Sequence, residues 1–219
     1  MTKTAFITGG TSGIGEVIIE ILKANDWQII APTHQELDLN NLPELARNSK
    51  TIVSNLDHLD ALIHVAGVWH NNDEALADKS FGSYDSGQII ESMNVGITSA
   101  MVLVNAFRPI MKDSTVIGIS GTFNSGAKGW VPYYTSKRAL EDFLVGLSQD
   151  ETDLKVYGIS PSDTATEAYE KFYPEYFNEA QSPTEIPKLV LGLLNDSGSF
   201  SSGDVIELKD GKAKIAFHS

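Results

Sequence analysis

Cysteine is absent from this sequence. Without it there is no disulfide framework and no thiolate metal site, so a cross-linked secreted scaffold is excluded. The absence also suits a reducing compartment, and a cytoplasmic location is expected. Positive charge is scarce: 16 Lys and Arg stand against 29 Asp and Glu, a formal net charge of −13 at pH 7. Nucleic acid and anionic membrane are therefore not expected as partners, because the overall field repels phosphate. For the same reason an anionic cofactor must be held by local donors. No apolar run nears the roughly 20 residues that a membrane-spanning helix needs. Met1-Thr2-Lys3 leads directly into an apolar segment, so no signal peptide is expected. Internal repeats and linker-like stretches are also lacking. With 219 residues, 42% of them hydrophobic, the expected organisation over 1–219 is a single domain with a sizeable core.

What is present begins with a glycine turn, Thr8-Gly9-Gly10-Thr11-Ser12-Gly13-Ile14-Gly15. It follows the strand-like Thr4-Ala5-Phe6-Ile7 and opens into a segment whose apolar residues Val17, Ile18, Ile21 and Leu22 recur at helical spacing. A strand, a glycine turn and a helix start in this order form a nucleotide-binding hypothesis. Glycines let the backbone approach a diphosphate closely, and the helix N-terminus presents free N–H groups to the anion. An ordinary turn that merely needs small residues is the competing reading.

Further along, 27–32 reads as a second strand and Leu37-Asp38-Leu39 as a short third one. The space between them is too small for a helix, so that crossover is expected to be abbreviated to a loop. A broken helical pattern covers 42–56, and the apolar run 60–67 ends in glycine, as a buried parallel strand does. The stretch 69–86 is polar and loop-like. A long helical pattern fills 87–111, with Pro109 near its end. Strand 114–120, a glycine-studded loop, helix 133–149 and strand 154–160, stopped by Pro161, follow in turn. Residues 164–182 read as an aromatic-rich lid and 183–194 as a helix opened by proline. A terminal hairpin turns at Asp210-Gly211 and extends to Phe217. This alternation predicts an α/β fold, a doubly wound, mostly parallel sheet of Rossmann type. The glycine turn, Gly67 and Ser120 should meet at the carboxyl edge of the sheet.

Tyr133 and Lys137 are four residues apart at the start of a helix and so share one face. A phenol near pKa 10 is a poor acid or base at neutral pH, and a neighbouring ammonium favours the tyrosinate. Ser120, thirteen residues earlier, ends a strand from which a hydroxyl can hold a carbonyl oxygen. With these residues in place the chain resembles the single-domain short-chain dehydrogenases/reductases. Their T-G-x-x-x-G-x-G turn is matched by Thr8, Gly9, Gly13 and Gly15. Their serine thirteen residues before Tyr-x-x-x-Lys is matched by Ser120, Tyr133 and Lys137, and their helix asparagine by Asn94. The N-N-A-G motif is matched only by Ala66 and Gly67, since His64-Val65 stands where two asparagines are usual. Ser162 replaces a glycine after Pro161 and would narrow the nicotinamide pocket. His64 reads as a satisfied core histidine.

The resemblance implies hydride transfer between a nicotinamide cofactor and a small carbonyl or alcohol substrate. Tyr133 would be the acid/base, and Lys137 would lower its pKa and hold the nicotinamide ribose. Ser120 would orient the substrate oxygen, and Asn94 would hold a relay water. Cofactor contacts are expected from Gly9, Thr11, Ser12, Gly13, Ile14, Ala66, Gly67 and Pro161, and from Thr164 or Thr166. The end of the second strand, Ala31-Pro32-Thr33-His34, carries no acid for a ribose diol and no arginine for a phosphate. Thr33 and His34 can bind a 2′-phosphate, so NADP is expected, with NAD as the alternative; Asp38 would meet the adenine edge. Trp69, Trp130, Tyr134 and the lid aromatics Tyr169, Phe172, Tyr173, Tyr176 and Phe177 should line the substrate pocket. A homodimer or homotetramer is expected from the resemblance and the apolar helix at 87–111. Two other readings remain open: a cofactor-binding sensor or scaffold without turnover, and a sugar-nucleotide epimerase of the extended branch. The glycine spacing, and the absence of a following substrate domain, count against the second.

Overall fold

A computed structural model of the chain describes residues 2–123, 126–197 and 200–216. Strands and helices alternate as β1 (Thr4–Thr8), α1 (Gly13–Ala24), β2 (Gln28–Ile30), α2 (Leu42–Val53), β3 (Ala61–His64), α3 (Ser86–Met93), α4 (Ser99–Phe107), β4 (Thr115–Ile119), α5 (Val131–Asp150), β5 (Lys155–Pro161), α6 (Glu167–Phe172), α7 (Glu185–Leu194), β6 (Val205–Lys209) and β7 (Lys212–Ile215). The strands form one sheet in the order β2-β1-β3-β4-β5-β6-β7. β1 to β6 run parallel, and β7 returns antiparallel to β6. The strand order reverses at β1, with β2 on one side and β3 on the other. A ligand crevice opens at such a point, outside the carboxyl ends of the strands.

The near-continuous apolar strands follow from burial on both faces. In β1 Ala5 and Ile7 point to one layer and Phe6 to the other. The first layer adds Ile63, Ile117 and Ile159 from the sheet and Ile18, Leu22, Ile186 and Val190 from α1 and α7. The second adds Leu62, Val116 and Val156, with Leu103 and Phe107 of α4 and Leu140 and Leu144 of α5. Each such side chain contributes roughly 1.5–3 kcal/mol by leaving water.

The fold class is as expected, with local differences. Residues 37–39 form no strand; Leu37 is buried and packs in the second core layer, which accounts for its strand-like apolar spacing. The crossover from β2 to β3 carries α2, and what is shortened is the edge of the sheet beyond β2. The helix expected at 87–111 is interrupted by a π-turn at Asn94–Thr98 between α3 and α4. There Gly96 lies against Ser136 of α5, so closely that a Cβ on it would stand 2.8 Å from the Ser136 Cβ. Contrary to the reading of the linear sequence, Ser86–Ile110 is, by length and composition alone, long and apolar enough to cross a membrane. Its apolarity has a packing explanation: Ile97, Ala100, Leu103, Val104 and Phe107 are buried in the second layer. Pro161 pairs with Leu208 as the last residue of β5. The hairpin turns at Asp210 and Gly211, with φ of 49° and 72°, the two left-handed positions a tight hairpin turn requires. Phe217 lies outside the described residues.

Candidate active site

The glycine turn leaves β1 and enters α1 at Gly13. Gly9 has φ +68°, and a Cβ there would come within 2.8 Å of the Ala66 backbone nitrogen. A Cβ on Gly15 would overlap the Gly9 carbonyl. At these two positions the turn is therefore packed at backbone contact distance, with no room for a side chain. Ser12 caps α1 in extended geometry, but its hydroxyl makes no capping bond. The first-turn N–H groups of a helix have no intrahelical partner and carry positive partial charge. The cradle suits a diphosphate.

Next to it, Thr8 orders the end of β3. Its Oγ1 accepts from the Val65 and Ala66 backbone N–H groups at 3.2 and 3.4 Å. It also lies 3.0 Å from His64 Nδ1, while His64 Nε2 lies 3.1 Å from the Val95 carbonyl. The carbonyl can only accept, so Nε2 carries the proton and Nδ1 accepts from the Thr8 hydroxyl. Burial, helped by the charge of Lys137, drives the His64 pKa down to about 3. His64 is a neutral structural residue that bridges β1, β3 and the π-turn.

Lys137 of α5 is 1% exposed. Its Nζ donates to the Ala66 carbonyl at 3.0 Å and the Ile119 carbonyl at 2.8 Å, tying the ends of β3 and β4 together. A Cβ on Gly67 would stand 2.8 Å from Nζ and 3.1 Å from the Tyr133 ring, so glycine is required there by space. Burial lowers the Lys137 pKa to about 7, against the pull of the Glu141 carboxylate. Nζ sits 5.6 Å from the Tyr133 ring centroid. Burial raises the Tyr133 pKa, the opposite of the direction expected from its lysine. The reason is that burial penalises the charged phenolate, and in the cofactor-free cleft this outweighs any pull from the lysine.

Gly9, Thr11, Ser12, Gly13, Ile14, Ala66, Gly67, Ser120, Tyr133, Lys137, Pro161 and Thr164 all line one cleft of about 970 Å³, and Thr166 joins them. The other expected residues lie elsewhere. Asn94 opens the π-turn, and its amide donates to the Asn40 carbonyl and Oδ1 at 3.2 and 2.9 Å. It is not among the residues lining the cleft, because its side chain is engaged by the loop before α2. Thr33, His34 and Asp38 also fall outside the lining. Thr33 gives its N–H and hydroxyl to Glu36 at 2.8 and 3.0 Å, and His34 lies 3.7 Å from Asp38. Backbone and hydroxyl bonds from Thr33 lower the Glu36 pKa. Glu36 thus closes the turn that follows β2, and it too falls outside the lining of the cleft.

Ser120 lines the cleft, yet its hydroxyl donates to Glu141 Oε1 at 2.5 Å, with the Ile159 carbonyl at 3.3 Å. Glu141 is fully buried and also accepts from Arg138 at 2.6 Å. Sequence reading missed Glu141, although a signal existed: Tyr133, Lys137 and Glu141 repeat at intervals of four along one helix face. Of the expected substrate-pocket aromatics, Trp69, Trp130, Tyr169, Tyr173 and Tyr176 line the cleft; Tyr134, Phe172 and Phe177 do not. Phe123 and the carboxylates of Asp78, Asp163 and Glu175 join it without having been anticipated.

A sequence profile of the short chain dehydrogenases matches residues 32–176, well over half of the chain. The chain belongs to the short chain dehydrogenase family. The match starts beyond the glycine turn, and relatives extend the likeness to that end. An uncharacterized oxidoreductase of Bacillus subtilis (strain 168), YmfI, is 23% identical over 241 residues, covering 96% of this chain and 99% of its own. The 3-oxoacyl-[acyl-carrier-protein] reductase FabG of Aquifex aeolicus (strain VF5) is 25% identical over 246 residues, covering 95% and 96%. Among solved structures, a blue fluorescent protein from a metagenomic library in complex with NADPH superimposes with a TM-score of 0.82 at 20% identity, covering 95% of this chain and 97% of that one. This short chain dehydrogenase therefore shares the fold of its relatives along nearly its whole length, while its side chains have diverged widely.

Proposed function

We propose that this short chain dehydrogenase is an NAD(P)-dependent oxidoreductase, moving hydride between a nicotinamide cofactor and a small carbonyl or alcohol with Tyr133 as acid/base. The observation that carries this reading is the meeting of the glycine turn, Gly67, Tyr133 and Lys137 on one cleft. The glycine turn suits a dinucleotide diphosphate: glycines at 9 and 15 let it fold tightly onto its own backbone and that of Ala66, and it leads into the N-terminus of α1 on the cleft. When bound, the cofactor supplies or accepts the hydride.

The remaining work belongs to the protein. An ammonium has three donors, and two of those on Lys137 are spent on Ala66 and Ile119. The third is proposed to hold a ribose hydroxyl and to favour the tyrosinate of Tyr133 over the phenol. Tyr133 gives its proton to the oxygen of a carbonyl in reduction and takes it back in oxidation. Ser120 is proposed to orient that oxygen, for which its hydroxyl must turn from Glu141. Asn94 acts at one remove, through the π-turn that seats Gly96 on Ser136 beside Lys137. Gly9, Thr11, Ser12, Gly13 and Ile14 are assigned to the diphosphate, and Ala66, Gly67, Pro161 and Thr164 to the nicotinamide half.

NADP is the proposed cofactor, supported by the NADPH complex of a structural neighbour. NAD is the second reading, favoured by Glu36: its carboxylate occupies the Thr33 donors that a 2′-phosphate would use. A ribose diol could donate to that carboxylate, whereas a phosphate must displace it. A homodimer or homotetramer in the cytoplasm, acting on small molecules and not on nucleic acid or membrane, completes the proposal.

The test is cofactor turnover with a panel of ketones, aldehydes and alcohols, comparing the wild type with Tyr133→Phe. Removal of the acid/base should lower turnover about 10²–10⁴-fold while leaving the cofactor dissociation constant nearly unchanged. A variant retaining more than about a tenth of wild-type turnover, less than the smallest effect expected, would refute the assignment. Tight cofactor binding with no turnover of any substrate would move the sensor reading ahead.

A further inference from the structure

The phenol of Tyr133 stands inside a wall of rings. Trp130 lies 6.0 Å from it and Phe123 5.9 Å, centroid to centroid. Behind Trp130 the wall continues to Tyr173 at 5.7 Å, stacked at 30°, and to Trp69 at 6.1 Å. All five rings line the cleft. Their positions are held by polar ties between separate segments. Tyr173 donates its hydroxyl to Asp78 at 2.9 Å, and Lys171 donates to the Asn72 carbonyl at 2.7 Å, joining α6 to the loop after β3. The Tyr84 hydroxyl donates toward the Leu76 and Gly129 carbonyls at 3.0 and 2.8 Å. The rings are therefore a fixed surface, and a molecule entering against Tyr133 meets π-faces and ring edges rather than adaptable aliphatic chains.

Charge acts in the same direction. Asp78, Asp163 and Glu175 line the cleft, and the cations that line it are Lys128 and the buried Lys137. Lys137 is committed to two backbone carbonyls. A dinucleotide in the glycine cradle adds further negative charge, as does the chain itself at −13. An anionic substrate would be repelled by all three sources, whereas a neutral one is indifferent to them.

Resting on the oxidoreductase reading above, we infer that the substrate is an uncharged, flat, ring-bearing carbonyl compound or the matching alcohol. Its oxygen meets Tyr133 and its rings pack on Trp130 and Phe123, and acyl thioesters of anionic carriers are disfavoured. The inference separates this chain from the Aquifex relative, whose name specifies an acyl-carrier-protein substrate. In reduction, hydride adds to the carbonyl carbon, the carbonyl π-pair moves to oxygen, and that oxygen takes the Tyr133 proton. The nicotinamide is oxidised as the ketone becomes a secondary alcohol.

The experiment is calorimetric titration of protein saturated with oxidised cofactor, a complex that cannot reduce a ketone. 2-Acetylnaphthalene and acetoacetyl-CoA serve as the neutral and anionic probes. The ketone should bind at least tenfold more tightly than the thioester. Trp130→Ala should weaken the ketone about tenfold, the scale of one lost aromatic pair, and change thioester binding little. Asp163→Asn combined with Glu175→Gln should strengthen the thioester alone. Equal or tighter binding of acetoacetyl-CoA, or no binding of either probe, would overturn the inference. Selective ketone binding without reduction by NADPH or NADH would count against the oxidoreductase reading only, leaving the ring site in place.

Discussion

Lys137→Met in the cofactor-free protein should erase a pH dependence of stability that the wild type carries. Lys137 is 1% exposed, and its pKa falls from 10.5 to about 7 with burial as the main cause. A group depressed in this way binds more protons unfolded than folded between the two values. Stability therefore rises with pH from 7 to 10.5, and the penalty is full below 7. At about 1.36 kcal/mol per tenfold change in the proton equilibrium, the fall from 10.5 to about 7 corresponds to at most about 5 kcal/mol. Methionine removes that penalty but leaves the Ala66 and Ile119 carbonyls without their donor, a loss of about 1–3 kcal/mol each. The two effects nearly cancel in absolute stability at low pH, so the slope is the informative quantity. Between pH 7 and 9 the wild type should gain about 2 kcal/mol relative to the variant, by the same linkage. Urea unfolding at pH 7, 8 and 9, followed by tryptophan fluorescence, measures the difference, and effects common to both proteins drop out. A difference that stays flat within about 0.5 kcal/mol across this range, well below that linkage value, would refute the reasoning. It would mean that Glu141 keeps the ammonium charged in spite of burial.

Other consequences follow from single contacts. Gly67→Ala would place a methyl 2.8 Å from the Lys137 ammonium, so turnover should fall steeply with stability reduced by about 1–3 kcal/mol, read by steady-state kinetics and thermal melting. Glu36→Gln removes the carboxylate from the Thr33 donors; the ratio of NADPH to NADH affinity should rise several-fold in fluorescence titrations, and an unchanged ratio would show that Glu36 does not meet the adenosine ribose. Sedimentation should give two or four times the chain mass of 23.8 kDa, and Met101→Lys, on an exposed apolar position of α4, should shift it toward monomer if that face is the interface.

By itself the sequence determined the fold class and marked the short-range groupings that meet at the cleft. Apolar strands alternating with helical patterns admit few architectures other than a parallel sheet covered on both faces. The glycine turn and the Tyr133–Lys137 pair were legible because their meaning lies in short spacing: closely spaced glycines between a strand and a helix, and two residues one helical turn apart. His64 was likewise readable as a core residue, since a histidine in a buried strand must find partners, and Thr8 and Val95 supply them. Tertiary structure alone decided what those groups do to one another. Desolvation has no linear signature, so the lowering of Lys137 and the raising of Tyr133 emerge only once α5 is packed on the sheet. Leu37 and Leu39 have the spacing of a strand, but among the described residues no strand pairs with them, and burial of Leu37 accounts for the pattern instead. Glu36 meets Thr33 through a turn whose geometry the residues do not spell out. Asn94 points to Asn40, 54 positions away, and Ser120 to Glu141, because helix and strand ends converge in space rather than along the chain.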